Sequence, residues 1–87
     1  MRRVLKWALT LDDEPEAIGA GRVLMVGHQH GVVTVWTVEP IVETNDQNLS
    51  RTVRIFGTGH VVPDEWEPIG SVQVDGFVWH VFEEVRF

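Results

Sequence analysis

The chain has no cysteine, which excludes disulfide bonds and cysteine-ligated zinc as sources of stability. It also lacks an apolar run of the roughly 18–20 residues that a membrane-spanning helix needs. Basic residues are few: 7 lysines and arginines stand against 13 acids, a formal charge of −6. Such a charge disfavours generic nucleic-acid binding unless the basic residues cluster on one surface.

The residues that are present suit a folded protein. Hydrophobic residues make up 44% of the 87 positions, with 4 tryptophans and 4 phenylalanines, which is too apolar for a disordered chain. This length predicts a single domain over residues 1–87. Lys6 and the acids from Asp12 onward argue against a secretory signal, so we expect a cytoplasmic protein.

Strand-like segments dominate, and none gives a convincing helix signal. The predicted strands cover 2–9, 22–30, 32–40, 51–57, 69–74 and 77–87. Segments 10–21 and 41–50 are predicted loops, the second as a long hairpin tip, and His30-Gly31 and Asp75-Gly76 predict tight turns. Strands without covering helices must bury one face against each other. The sequence therefore predicts an all-β fold, a small antiparallel sandwich or barrel-like sheet of about six strands.

Several of these strands are apolar on both faces. In 32–40, Val33 and Val35 share one side, whereas Val32, Trp36 and Val38 share the other. Exposed apolar faces usually mark interfaces, and homodimers are the commonest assemblies. We therefore expect a homo-oligomer. The alternative is that loops 10–21 and 41–50 fold over the second face.

The stretch "RIFGTGHVVPDEW" (54–66) holds the candidate ligand site. Glycines 57 and 59 free the backbone to expose amides, which can form an anion-binding concavity with a nearby hydroxyl, histidine and arginine. A tryptophan in the following loop could stack on a base. The candidate ligand-binding residues are Arg51, Arg54, Thr58, Gly59, His60 and Trp66. The alternative is an ordinary bulge and turn, since the pattern matches no phosphate-binding motif.

A basic patch is a second possible anion site. Arg2, Arg3, Lys6, Arg51 and Arg54 would cluster if strand 2–9 lay beside strand 51–57. The alternative is that these residues are solvated strand edges.

Metal binding and catalysis have little support. His28 and His30 are two residues apart, so a strand would place both on one face, where they could chelate zinc with a third ligand. The favoured interpretation is a hairpin end that carries two solvated imidazoles, and His80 is expected to be a core histidine. Neither Ser50 nor Ser71 lies in a nucleophile elbow. We predict no metal, no cofactor and no enzymatic activity.

A family resemblance rests mainly on two segments, RT-x4-GTGH-x3-D over 51–64 and VWHVFE over 78–83. The opening "RRVLKWAL" and the later "VTVWTVE" add to it. On these the chain resembles an uncharacterised family of small proteins common in tailed phages, notably those of actinobacteria. The resemblance implies a phage-encoded protein in the host cytoplasm. It favours an oligomeric binding protein that sequesters a small anionic, nucleotide-derived signal as a counter-defence. The alternatives are a binder of a host protein through apolar strand faces, and a structural or accessory phage protein.

Overall fold

The computed structural model describes residues 1–12, 14–41 and 50–85. Its strands are β1 (Arg2–Ala8), β2 (Glu16–Gly19), β3 (Arg22–Gln29), β4 (Val32–Pro40), β5 (Ser50–Gly57), β6 (Trp66–Val74) and β7 (Phe77–Glu84). The predicted all-β class is confirmed. One element was missed, because β2 lies inside the segment 10–21 that the sequence predicts as a loop. In the described part of the chain, no helix is long and apolar enough to cross a membrane.

The strands form two antiparallel sheets. The first sheet has the order β1-β4-β3, and the second has the order β2-β5-β7-β6. Two-residue turns join β3 to β4 and β6 to β7, as predicted: Gln29 pairs with Val32, and Val74 with Phe77. His30 and Asp75 have φ angles of 51° and 52°, and each precedes a glycine of positive φ. This is the type I′ geometry that matches strand twist.

The core lies between the two sheets, which makes the fold a sandwich. Val35 of β4 and Val81 of β7 are fully buried, with Val53 and Ile55 of β5 beside them in the same cluster. These residues take alternate positions along their strands, so the inward faces of both sheets supply the core. Thr37 is also buried on this side, and its Oγ1 accepts a hydrogen bond of 2.9 Å from Trp7 Nε1.

One edge of the sandwich is closed by a close approach of β6 to β3. A Cβ atom at Gly70 would lie 2.6 Å from Val26 Cγ2. The register of β6 against β7 shifts between Pro68 and Gly70, which marks a β-bulge. The bulge and the missing side chain together let the two strands pack directly against each other.

The structure corrects two predicted neighbours. Strand β1 pairs with β4 and not with β5, so Arg2, Arg3 and Lys6 lie in a different sheet from Arg51 and Arg54. The predicted five-residue basic cluster therefore does not form. Strands β4 and β5 lie in different sheets, so they do not form the predicted hairpin, and residues 42–49 between them lie outside the described part.

The connection between β5 and β6 has to cross β7. Both strands pair antiparallel with β7 from opposite sides, so they run parallel to each other. Residues 58–65 therefore cross β7, starting beside Trp79 and ending beside Glu84. The far end is anchored by two backbone hydrogen bonds, from Trp66 N–H to Pro63 O (3.1 Å) and from Val85 N–H to Glu65 O (2.7 Å).

Candidate functional site

Depressions in the protein surface meet around Trp79 at one end of the sandwich. They have volumes of about 370, 390 and 460 Å³, and Trp79 lines each of them. Strand pairing places Trp79 opposite Gly57, the last residue of β5. Leu9 N–H bonds to Val33 O at 2.9 Å and leads Leu11 to the same end. We call this surface, formed by Leu11, Val32, His60, Phe77 and Trp79, the Trp79 end.

Two aromatic rings form a flat wall at the Trp79 end. Phe77 and Trp79 lie on the same face of β7, with ring centroids 6.0 Å apart and an interplanar angle of 29°. Phe77 is 65% exposed although it directly follows the β6–β7 turn. A stacked aromatic pair of this kind offers an apolar platform to a planar ligand group.

The Gly57–His60 turn supplies the polar rim. His60 N–H donates to Gly57 O at 3.1 Å, and Gly57 N–H donates to His60 Nδ1 at 3.3 Å. Because Nδ1 accepts this bond, the neutral imidazole carries its proton on Nε2 and can donate it to a ligand. His60 lines the two depressions of about 390 and 460 Å³, next to Trp79.

Gly59 makes this turn possible through its backbone. Its φ angle is +91°, while a Cβ atom built on it would meet nothing within 4 Å. The glycine is therefore needed for its conformation and not for space. The turn brings the imidazole back toward Gly57 and Trp79.

Thr58 faces the other side of the sheet. Its Oγ1 lies 2.8 Å from His80 Nε2, and Ser71 Oγ lies 2.7 Å from His80 Nδ1. Since a neutral imidazole has one N–H, one hydroxyl accepts a hydrogen bond from the ring and the other donates to it. His80 pairs with Phe56 and faces outward, so it is not the core histidine that the sequence predicts. Thr58 also lines the depression of about 460 Å³.

Arg54 and Trp66 lie together, away from the Trp79 end. The Arg54 guanidinium carbon is 4.8 Å from the Phe56 ring centroid and 5.8 Å from that of Trp66. Trp66 is the first residue of β6 and only 7% exposed, so it is not the loop tryptophan that the sequence predicts. Phe56 packs edge-on against Trp66 and Phe82, at 6.1 and 5.2 Å between centroids. These contacts form a second apolar cluster on the outward face of the second sheet.

Arg51 lies at the far end of β5. It is six positions from Gly57, or about 20 Å along a strand. Its Nε lies 2.6 Å from Glu83 Oε2, and its Nη1 donates to Gly21 O at 2.8 Å. Of the six predicted ligand-binding residues, the structure thus places His60 at the Trp79 end, with Thr58 and Gly59 in the same turn. The Thr58 hydroxyl contacts His80 on the other side of the sheet. The structure places Arg54 with Trp66 in a second location and Arg51 in a third.

Sequence reasoning missed the apolar half of the Trp79 end. No motif in the sequence points to Trp79, and Leu11 lies in the predicted loop 10–21. The available signal was Phe77, a large apolar residue directly after a predicted tight turn. Its exposure depends on which strands surround it, which the sequence pattern does not specify.

The predicted histidine pair does not share a strand face. His28 is in β3, whereas His30 lies in the β3–β4 turn with a φ angle of 51°. Among residues 1–12, 14–41 and 50–85, no group of three His, Cys, Asp or Glu side chains is placed to hold a metal ion.

Comparison with known proteins identifies a family. A family model described as a domain of unknown function, DUF7352, matches residues 1–87. The chain belongs to this family. No curated protein and no solved structure matches this DUF7352 chain.

Proposed function

We propose that this DUF7352 protein is a small, phage-encoded, oligomeric binding protein that holds an anionic, nucleotide-derived ligand at the Trp79 end. It performs no catalysis and acts by sequestering a signal in the host cytoplasm. One observation carries the proposal. The Gly57–His60 turn sets an imidazole N–H donor on the rim of two depressions that share Trp79 as a wall.

The ring of such a ligand would stack on the aromatic wall. Phe77 and Trp79 present nearly parallel rings, and Phe77 is largely exposed. Stacking of a base on an aromatic side chain contributes about 1–3 kcal/mol and tolerates any base. The apolar neighbours Leu11 and Val32 would cover the edges of the ring.

The anionic group would lie at the glycine–histidine turn. His60 Nε2–H is the donor on this rim, because the amides of Gly57 and His60 are bonded within the turn. None of the described arginines lines the three depressions. Arg51 is held by Glu83, and Arg54 is stacked on Phe56. A rim of neutral donors suits one phosphate or cyclic phosphate better than a polyphosphate, which demands cations.

Pairing of two copies would enclose this site. Leu11, Val32 and Phe77 are large apolar side chains that remain exposed around it. Exposed apolar patches usually mark interfaces, and a two-fold dimer buries the same patch on both subunits. In this arrangement the ligand lies at the seam between protomers, shielded from water by both.

Ligand binding can be tested by thermal unfolding. Protein freed of co-purified ligand is unfolded with cyclic nucleotides and ADP-ribose derivatives. A true ligand stabilises the folded state by about 2.7 kcal/mol at a hundredfold excess over Kd. His60→Ala should raise the Kd of this ligand at least fivefold, because it removes the donor at the rim while leaving the strands intact.

The matched control is Val61→Ala. Val61 belongs to the same connection but is 89% exposed and lines none of the three depressions. Its substitution should leave binding unchanged. If none of the nucleotides tested stabilises the protein, the proposed ligand class is refuted. If His60→Ala and Val61→Ala lose ligand affinity equally, the role of His60 is refuted.

A second candidate function is binding of a host protein. The exposed Phe77 and Leu11 favour it, because a buried aromatic anchor is the usual centre of a protein interface. Capture of a defined host protein by wild type, but not by Phe77→Asp, together with no nucleotide response, would support this candidate. Recovery of the chain from purified virions would instead indicate a structural or accessory role.

A further inference from the structure

The outward face of the first sheet is a separate surface with its own chemistry. Val33, Val35 and Thr37 of β4 point into the core, so the alternate residues of β4 point outward. Strand pairing extends this assignment to the neighbours of β4. The outward positions are Arg2, Val4, Lys6 and Ala8 of β1, Arg22, Met25, Gly27 and Gln29 of β3, and Val32, Thr34, Trp36, Val38 and Pro40 of β4. We call this surface the basic face. Thr34 is buried by its neighbours, and Val32 also borders the Trp79 end.

Charge on the basic face has a single sign. Arg2, Lys6 and Arg22 lie on it, and none of its described positions is an aspartate or glutamate. Glu39, the one acid in these strands, is on the inward side and accepts a 2.9 Å hydrogen bond from Gly21 N–H. The face is thus cationic although the chain carries a formal charge of −6.

Trp36 lies at the centre of the basic face. It is in the middle strand, paired with Lys6 on one side and Met25 on the other. A Cβ atom at Gly27 would lie 3.4 Å from Trp36 Cζ3, so the indole extends over the backbone of β3 at this glycine. Lys6 is held beside it by a 2.7 Å hydrogen bond from Nζ to Gln29 Oε1.

Exposed aliphatic groups complete the surface. Val4 is 59% exposed and Met25 is 53% exposed, so apolar side chains flank the indole on both edge strands. An aromatic ring among cations, with apolar contacts at its sides, is the composition that binds single-stranded nucleic acid. Bases stack on the ring while phosphates meet the cations.

The acids on the second sheet do not oppose this binding at physiological salt. The acids of the second sheet lie beyond the sandwich core, and packed sheets are about 10 Å apart. The Debye length is about 8 Å at 0.15 M ionic strength, so those acids are largely screened at the basic face. A second copy placed symmetrically on the same face would bring cations together with no carboxylate to pair them, which disfavours self-association here.

We propose that the basic face binds single-stranded nucleic acid without sequence preference, with Trp36 as the stacking platform and Arg2, Lys6 and Arg22 as phosphate contacts. The condition under which an acidic chain can bind nucleic acid, local clustering of its few cations, is met on this face. The inference is independent of the ligand proposed for the Trp79 end.

The test is fluorescence anisotropy of labelled oligo(dT) and oligo(U) titrated with the protein over a salt series. Release of counterions by three cations predicts a slope of about −2 for log K against log salt. Lys6→Gln should reduce the magnitude of that slope by about 0.7, the contribution of one phosphate contact on a single strand. Trp36→Leu should weaken binding about tenfold without changing the slope.

Arg3→Gln is the matched control. Arg3 lies in β1 next to Arg2 but on the opposite side, across from Glu39, so its loss should leave the slope unchanged. If Arg3→Gln reduces the slope as much as Lys6→Gln does, binding depends on net charge alone and the proposal is overturned. Absence of oligonucleotide binding by the folded wild-type protein at 20 mM salt would also overturn it, as would binding of phosphatidylserine vesicles without oligonucleotide binding.

Discussion

Substitution of Gly70 by alanine tests the close crossing of β6 and β3. The added Cβ atom would lie 2.6 Å from Val26 Cγ2, whereas relaxed carbon contacts are about 3.5–4.0 Å. The two strands must therefore separate by about 1 Å, and overpacking of this kind destabilises by about 1–3 kcal/mol. Reduced entropy of the unfolded chain offsets about 0.4–1 kcal/mol of this. The expected net loss is about 1–2 kcal/mol, or a Tm lower by roughly 10 °C for a domain of this size.

The assay is thermal and urea unfolding of a double-mutant cycle. Val26→Ala removes the Cγ2 contact at 2.6 Å and keeps the Cβ contact at 2.8 Å, so it relieves part of the clash. The double variant Val26→Ala/Gly70→Ala should therefore be more stable than the sum of the single losses by up to about 1 kcal/mol. Gly27→Ala is the matched control, because its Cβ would meet only the flexible Met25 Cε at 3.3 Å and the Trp36 ring edge. Strict additivity of the two losses, or a Gly70→Ala variant as stable as wild type, would contradict the crossing described above.

Two further substitutions examine the Trp79 end. Gly59→Val should lower the free energy of unfolding in urea by about 1–3 kcal/mol, because a β-branched residue is strained at a φ angle of +91°. Unchanged unfolding would show that the turn relaxes to a negative φ angle. Phe77→Asp should shift the mass measured by light scattering from oligomer to monomer while the chain stays folded, since the ring is 65% exposed. Val61→Asp in the nearby connection should leave the mass unchanged. A wild-type protein that is monomeric at 100 μM would refute the proposed pairing.

The turns of this fold were predictable, whereas the partners of the strands were not. Asp75-Gly76 and His30-Gly31 specify their geometry locally, because both positions of a type I′ turn need positive φ angles. The pairing of β1 with β4 joins segments about thirty residues apart, and alternation of apolar residues identifies a face but not a neighbour. Strand β2 was missed because four residues between Pro15 and Gly21 give little signal, and pairing with β5 stabilises it.

The polar half of the candidate site was predictable for a similar local reason. The glycines around Thr58 indicated a bent, amide-exposing backbone, and Gly59 does adopt a positive φ angle. The expected convergence of Arg54 and Trp66 on this turn fails for a reason of geometry. Arg54 and Phe56 share the outward face of β5, while Gly57 and His60 lie toward Trp79. Only the assembled sheet shows which residues the turn reaches.

The connection across β7 has little spare length. The two ends of the connection lie beside Trp79 and Glu84 of β7, five residues or about 17 Å apart. Its first residues form the Gly57–His60 turn, and its last residues form the turn closed by the bond from Trp66 N–H to Pro63 O. The few residues left between these two turns must run almost straight. Deleting one of them would pull the imidazole away from Trp79 or lift Trp66 from Phe56. New ligand preferences are therefore expected to arise by changing side chains in this segment, and changes in loop length to be confined to other loops.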